Sequence, residues 1–148
     1  MNKFITRIAG TAMLMSVLLP AAQAEVKIGI SAEPYPPFAK QNADGEWIGW
    51  EREIIDAVCA AMAEDCTIVP VAWDGIIPAL LAKKMEVIMA SLSITEERQK
   101  TIDFSDKYYN TPTIIVADKS SDIDGTPDSL KGKIVGVQVS TTHSNYAD

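Results

Sequence analysis

Apolar and polar positions change period several times along this chain, and each change marks an element. Residues 25–30 alternate around β-branched side chains, which predicts a strand. Glu33-Pro34-Tyr35-Pro36-Pro37-Phe38 follows and is expected to be extended, because three prolines fix φ and restrict the residues before them. Asn42-Ala43-Asp44-Gly45 predicts a turn, with a short hairpin strand at 47–49. Over 51–63 the apolar positions 54, 55, 58 and 62 have helical spacing. Residues 67–71 read as a strand. Asp74 is placed to cap a helix running through Lys84, with Ile76, Ile77, Leu80 and Leu81 as its buried stripe and Pro78 in its first turn, where proline is tolerated.

A short apolar strand is expected at 87–90. Ser93-Ile94-Thr95-Glu96 fits a capping box, so a short helix should begin near Thr95. Residues 108–117 form a β-rich run containing Pro112, 120–127 are polar and turn-like, and 129–132 read as a helical turn ending at glycine. A further strand is expected at 134–139, after which Ser140-Thr141-Thr142 would open another helix. Strands therefore alternate with helices, which implies an α/β fold with a parallel sheet. Such sheets place ligands beyond the carboxyl ends of their strands. Here those ends are 31–38, 72–74, 90–93 and 140–142, four segments rich in hydroxyls and aromatics.

The first residues stand apart from this pattern. Lys3 and Arg7 precede an apolar run from Ile8 to Leu19, and Ala22-Gln23-Ala24 has the small-x-small form of a cleavage site. Residues 1–24 are read as a secretory signal peptide cleaved between Ala24 and Glu25. A membrane anchor is the other reading, but a span needs about 20 apolar residues and this run is shorter. The 148-residue chain is 47% hydrophobic and 22% charged, which is ordinary globular composition. Its net charge is −7; removing the two signal-peptide cations leaves −9. No basic stripe suits nucleic acid. Export permits a disulfide between Cys59 and Cys66, provided the helix carrying Cys59 ends before Cys66, since seven helical residues rise about 10.5 Å and bridged Cα atoms lie within about 7 Å. These cysteines with His143 are too few for a zinc site, so no metal is expected. Neither a nucleophile elbow nor a glycine-rich phosphate loop occurs.

Several edge residues carry candidate chemistry. Ser91, Ser93 and Arg98 surround a helix start, where free N–H groups and a guanidinium fork suit a carboxylate. Equally, Ser93 caps the helix and Arg98 pairs with Glu97 or Asp103. Thr141 and Thr142 present N–H groups to the same anion, or form an ordinary N-cap. Tyr35 and Trp73 are placed to sandwich a ligand side chain, a cationic one gaining roughly 0.5–2 kcal/mol per ring; rim packing is the alternative. Glu33 supplies a negative charge there or is a solvated loop carboxylate.

Taken together, EPYPPF at 33–38, GWERE at 49–53, WDGIIPAL at 73–80, SLSITEER at 91–98, IDFSDKYY at 102–109, and 130–137 followed by Ser140-Thr141-Thr142 resemble the periplasmic solute-binding proteins for polar amino acids that serve ABC importers, solute-binding family 3, and within it the lysine/arginine/ornithine and histidine binders. The resemblance covers essentially all of 25–148. It implies the two-lobed periplasmic binding protein-like (type II) fold, with residues 25–110 forming the N-terminal part of lobe 1, 111–148 the crossover and the start of lobe 2, and the second-lobe acid that holds the α-amino group beyond Asp148. The chain is thus expected to be truncated, with lobe 1 incomplete.

The resemblance further implies that Arg98 clamps the ligand α-carboxylate, with Ser91 and Thr142 as hydroxyl and backbone donors, Ser93 a cleft serine and Thr141 its neighbour on the second lobe. Tyr35 and Trp73 match the sandwiching positions, and Cys59 and Cys66 the spacing of a disulfide. Ala90 departs, standing where relatives carry a serine near the α-amino group. Ala32 stands where they carry the cleft aspartate, the acid here being Glu33. Trp50 and Arg52 also depart from the usual signature. The implied function is capture of a polar L-amino acid, a basic one before others (arginine, ornithine, lysine, histidine, or an opine), in the periplasm and delivery to an inner-membrane ABC permease, by a monomer with no cofactor, no metal and no catalytic residue. A cyclohexadienyl dehydratase-like enzyme using Glu33, and the ligand-sensing domain of a larger receptor, are the alternatives.

Overall fold

The structure, a computed structural model, describes residues 25–147. The signal peptide expected at 1–24 lies outside the described residues.

Strand β1 (Val26–Ser31) is the centre of a three-stranded parallel sheet ordered β4-β1-β5, with β4 at Cys66–Val71 and β5 at Val87–Ile88. Register runs Val26 to Cys66 through Ser31 to Val71 on one side, and Ile28 to Val87 and Gly29 to Ile88 on the other. Parallel neighbours need crossovers, and each is made by a helix: α1 (Trp50–Met62) before β4, and α2 (Ile76–Leu81) before β5. The alternation read from the sequence is therefore present. Strands β2 (Lys40–Gln41) and β3 (Trp47–Ile48) form a small antiparallel hairpin around the Asn42–Gly45 turn, where Asn42 Oδ1 accepts from the N–H groups of Asp44 and Glu46.

The pleat of β1 explains the two faces. Ile28 and Ile30 point to α1 and pack with Ile55 and Cys59, flanked by Val26, Trp47, Cys66, Ile68 and Met89. Gly29 points the other way, and a Cβ there would fall 2.0 Å from Met85 Sδ, so only glycine lets the buried Met85 approach. Helix α1 turns its Glu51–Ile55–Cys59 stripe inward, while Val58 and Met62, two of the apolar positions with helical spacing, are exposed. Cys59 is held inward by its disulfide to Cys66 (Cα–Cα 6.1 Å), and α1 stops at Met62, with Ala63 in the left-handed region, before the bridge must turn back.

Four local expectations are corrected. Residues 35–39 form a tight turn, not an extended run: Phe38 and Ala39 both donate their N–H to Tyr35 O, because proline fixes φ but leaves ψ free. Asp74 caps nothing; it lies in a 3₁₀ turn (Trp73–Gly75) leading into α2, which ends at Leu81 with Leu81 exposed. Helix α3 (Glu96–Gln99) is capped by Thr95, whose Oγ1 accepts from Arg98 N at 3.2 Å, so Ser93 is not the cap. The strands expected at 108–117 and 134–139 are not formed: neither segment finds a ladder partner among the described residues. Between them lies α4 (Pro127–Leu130), capped by Thr126 and followed by Gly132 at φ 73. The last helix, α5 (Thr142–Ala147), follows Thr141 as expected.

Candidate functional site

The carboxyl ends of β1, β4 and β5 open into a cleft of about 600 Å³. Glu33, Tyr35, Trp73, Ser91, Ser93, Arg98, Thr141 and Thr142, the eight candidates from the sequence, all line it. They come from four separate stretches of chain: the parallel sheet brings the first three to one edge, and the stretch at 140–142 is tied to them by the Ser140 carbonyl, bonded to Trp73 and Arg98.

Arg98 is aimed by α3. Its Nη1 donates to Ser93 O at 2.9 Å and its Nη2 to Ser140 O at 3.1 Å, and its Cζ lies 5.9 Å from the centre of the Trp73 ring. Neither Glu97 nor Asp103 pairs with it: the ion pairs among the described residues are Arg52–Asp56 and Lys133–Asp122. Burial lowers the pKa of Arg98, opposed by the nearby charge of Glu97. The guanidinium is thus a half-buried cation held by neutral carbonyl oxygens, a state that an anionic ligand relieves.

Trp73 spans the cleft. Its indole Nε1 donates to Ser140 O at 3.0 Å, so one carbonyl accepts from both Trp73 and Arg98, and its backbone N–H donates to Glu33 Oε1 at 3.4 Å. Ser31 Oγ donates to Glu33 Oε2 at 2.6 Å, and chiefly this bond holds the Glu33 carboxyl below the usual range. Tyr35 is 48% exposed and stacks on Phe38 with ring centroids 5.1 Å apart. Phe38 in turn stacks on Tyr109 at 4.9 Å, and Trp50 meets both edge-on. Trp50, a departure in the sequence, is thereby a member of the aromatic wall under the cleft.

Ser91 sits at φ 52, in the left-handed region. Its N–H donates to Glu51 Oε1 at 2.6 Å and its Oγ at 2.8 Å; Tyr108 OH donates to the same oxygen at 2.6 Å. Burial above all, and then the bond to Glu51, push the Tyr108 phenol well above its ordinary pKa. Glu51, Tyr108, Tyr109 and the Ser140 carbonyl were not among the candidates from the sequence. The signal for Glu51 was an acid opening an otherwise apolar helix stripe, and for the tyrosines their place in the 102–109 motif. On the last segment, Thr141 Oγ1 accepts from Ser144 N at 3.1 Å while Ser144 Oγ is paired with the Thr141 backbone, a reciprocal cap. His143 Nε2 lies 3.2 Å from Thr113 Oγ1, tying α5 to the segment that follows Pro112.

Among the described residues no cluster of three His, Cys, Asp or Glu side chains could hold a metal, and no helix is long and apolar enough to cross a membrane.

A cleft at a parallel sheet edge, with one half-buried guanidinium and an aromatic wall, defines a small-ligand binding module. Residues 26–145 match the model of bacterial extracellular solute-binding proteins, family 3, and the chain belongs to that family. It is 41% identical over 139 residues to the L-arginine-binding protein of Pseudomonas aeruginosa, across 92% of this chain and 53% of the relative. To the histidine-binding periplasmic protein of Salmonella typhimurium it is 44% identical over 123 residues, across 82% of this chain and 47% of the relative. A solved ancestral arginine-binding protein bound to glutamine superposes with a TM-score of 0.77 at 35% identity, covering 82% of this chain and 54% of that one. The chain spans about half the length of the curated relatives it matches.

Proposed function

We propose that the chain carries the ligand-capturing cleft of a periplasmic solute-binding protein that takes up a basic L-amino acid and presents it to an inner-membrane ABC permease. The observation that carries this reading is the half-buried Arg98 guanidinium, bonded to the carbonyls of Ser93 and Ser140 and facing a cleft. In this reading the ligand α-carboxylate takes Arg98, with Ser93, Thr141 and Thr142 beside it. Its cationic side chain lies between Tyr35 and Trp73, with Glu33 as counter-charge. Residues 25–110 form the N-terminal part of lobe 1 and 111–148 the crossover and the start of lobe 2, and residues 1–24 are removed on export.

Relatives that bind arginine and histidine support the choice of a basic ligand. Micromolar affinity corresponds to about −8 kcal/mol, within reach of one charge-assisted carboxylate clamp and a stacked cation.

Calorimetric titration of the full-length protein with L-arginine, L-ornithine, L-lysine, L-histidine and octopine tests the reading. Arginine or another basic amino acid should bind and Arg98→Ala should weaken it more than 100-fold. Unchanged affinity in Arg98→Ala, or no binding of any of the five, overturns it.

A further inference from the structure

Two hydrogen bonds cross the cleft and end on one atom. Trp73 Nε1 and Arg98 Nη2 both donate to the Ser140 carbonyl, at 3.0 and 3.1 Å, over sequence separations of 67 and 42 residues. Among the described residues no other hydrogen bond or ion pair joins residues 25–110 to 111–147. The parallel sheet lies wholly in the first stretch, so it does not hold the second. A carbonyl oxygen has two lone pairs, and both of these are taken across the cleft. Ser140 sits at φ 60, a left-handed conformation that is unfavourable for a residue with a Cβ and persists where the surroundings fix it. The two donors supply that constraint.

Every partner in this bridge is a protein group, so its strength does not depend on which ligand enters. Nor does a ligand have to break it. Arg98 has five N–H groups. One on Nη1 takes Ser93 O and one on Nη2 takes Ser140 O, which leaves three for a carboxylate. Trp73 divides its work between face and rim. The guanidinium Cζ lies over its ring, 5.9 Å from the centre, while its Nε1–H, at the rim, reaches Ser140. A phenylalanine keeps a face and has no rim donor.

We infer that Trp73 is a latch: a positioning residue whose indole N–H, with the Arg98 guanidinium, holds the 140–142 segment across the cleft independently of the ligand. The cleft then closes for part of the time on its own, and Trp73 tightens the binding of every ligand by one common factor. Apparent affinity scales with the fraction of the protein already in the binding-competent form, and that fraction is a property of the protein alone. The inference deepens the binding reading above, and its test keeps the two apart.

Spin labels on Ala43→Cys and Lys119→Cys, exposed positions in the first and second stretch, report their separation in the full-length protein without ligand, read by double electron–electron resonance. Two distances should appear, and Trp73→Phe should lower the ratio of the shorter to the longer population about threefold or more. Calorimetry should then show L-arginine and L-lysine weakened by factors that agree within about twofold. A single distance in the unaltered protein, or an unchanged ratio in folded Trp73→Phe, overturns the latch. Losses for arginine and lysine that differ by more than this overturn it too, because a ring acting by stacking on the ligand distinguishes a planar guanidinium from an ammonium. Circular dichroism is the folding control; should Trp73→Phe not fold, Trp73→Leu, which also lacks the donor, replaces it in the distance measurement. If neither amino acid binds the unaltered protein, the amino-acid reading fails, while the ligand-free distances still decide the latch.

Discussion

Residues 25–110 and residues 111–147 contain runs of similar apolar, β-branched composition and meet opposite fates. Ile28 and Ile30 are 3% and 2% exposed on a strand paired on both sides; Ile134 is 101% exposed and Val116 is 86% exposed in segments with no ladder partner among the described residues. The difference teaches that β propensity measures how well a side chain suits a pleated, half-buried surface, and becomes a strand only where a neighbour completes the hydrogen bonds. The two regions meet at the Ser140 carbonyl, which accepts from Arg98 and Trp73, so the cleft draws on both.

The comparison can be broken most forcefully in the first region. Ile55→Ala removes a fully buried side chain between α1 and β1 and should cost about 3 kcal/mol, read from urea unfolding; a loss under 1 kcal/mol would mean the sheet is not the stable part. Next in size, reduction of Cys59–Cys66 should cost about 2–3 kcal/mol by releasing a short loop of the unfolded chain, measured as a shift in urea midpoint with reductant. Trp73→Phe keeps an aromatic face, though a smaller one, and loses the bond to Ser140 O, about 1 kcal/mol. Hydrogen exchange should quicken at 141–147 and stay unchanged at 28–31; equal effects on both would deny that this bond joins the regions.

The smallest effects belong to the second region. The Asp124 carboxyl is held down to about 2, first by the Thr126 hydroxyl and then by the Thr126 N–H and Ser129. Folding lowers this pKa, so its contribution is complete above the unfolded value of about 3.9 and disappears as pH falls toward 2. A carboxyl-carbon NMR titration should show a midpoint near 2, and an ordinary midpoint would remove the turn's polar anchor. Ile134→Ser should change stability by less than about 0.5 kcal/mol, since it exposes nothing further.

The cleft was more legible than the elements around it. Glu33, Tyr35, Trp73, Ser91, Ser93 and Arg98 could be placed because strand ends in an alternating α/β chain share one edge; Thr141 and Thr142 reach the same cleft without the strand expected at 134–139, through the bonds that the Ser140 carbonyl accepts from Arg98 and Trp73. Glu51 and Tyr108 escaped notice because their role arises from hydrogen bonds 40 and 57 residues apart in sequence, which no local spacing records. The tight turn at Tyr35 escaped because proline constrains one dihedral and leaves its partner to tertiary contacts.

By itself, the order of apolar periods determined the alternation of strands and helices, the parallel sheet that must follow from it, and the end of α1 short of Cys66, since these depend on chain geometry and short-range pattern. Only the tertiary structure decided which donors the cleft leaves free. Arg98 turned from Glu97 and Asp103 to two carbonyls, and the Ser91 N–H went to both Glu51 and the Tyr108 hydroxyl, because a partly desolvated donor takes whichever acceptors the packed chain brings within about 3 Å.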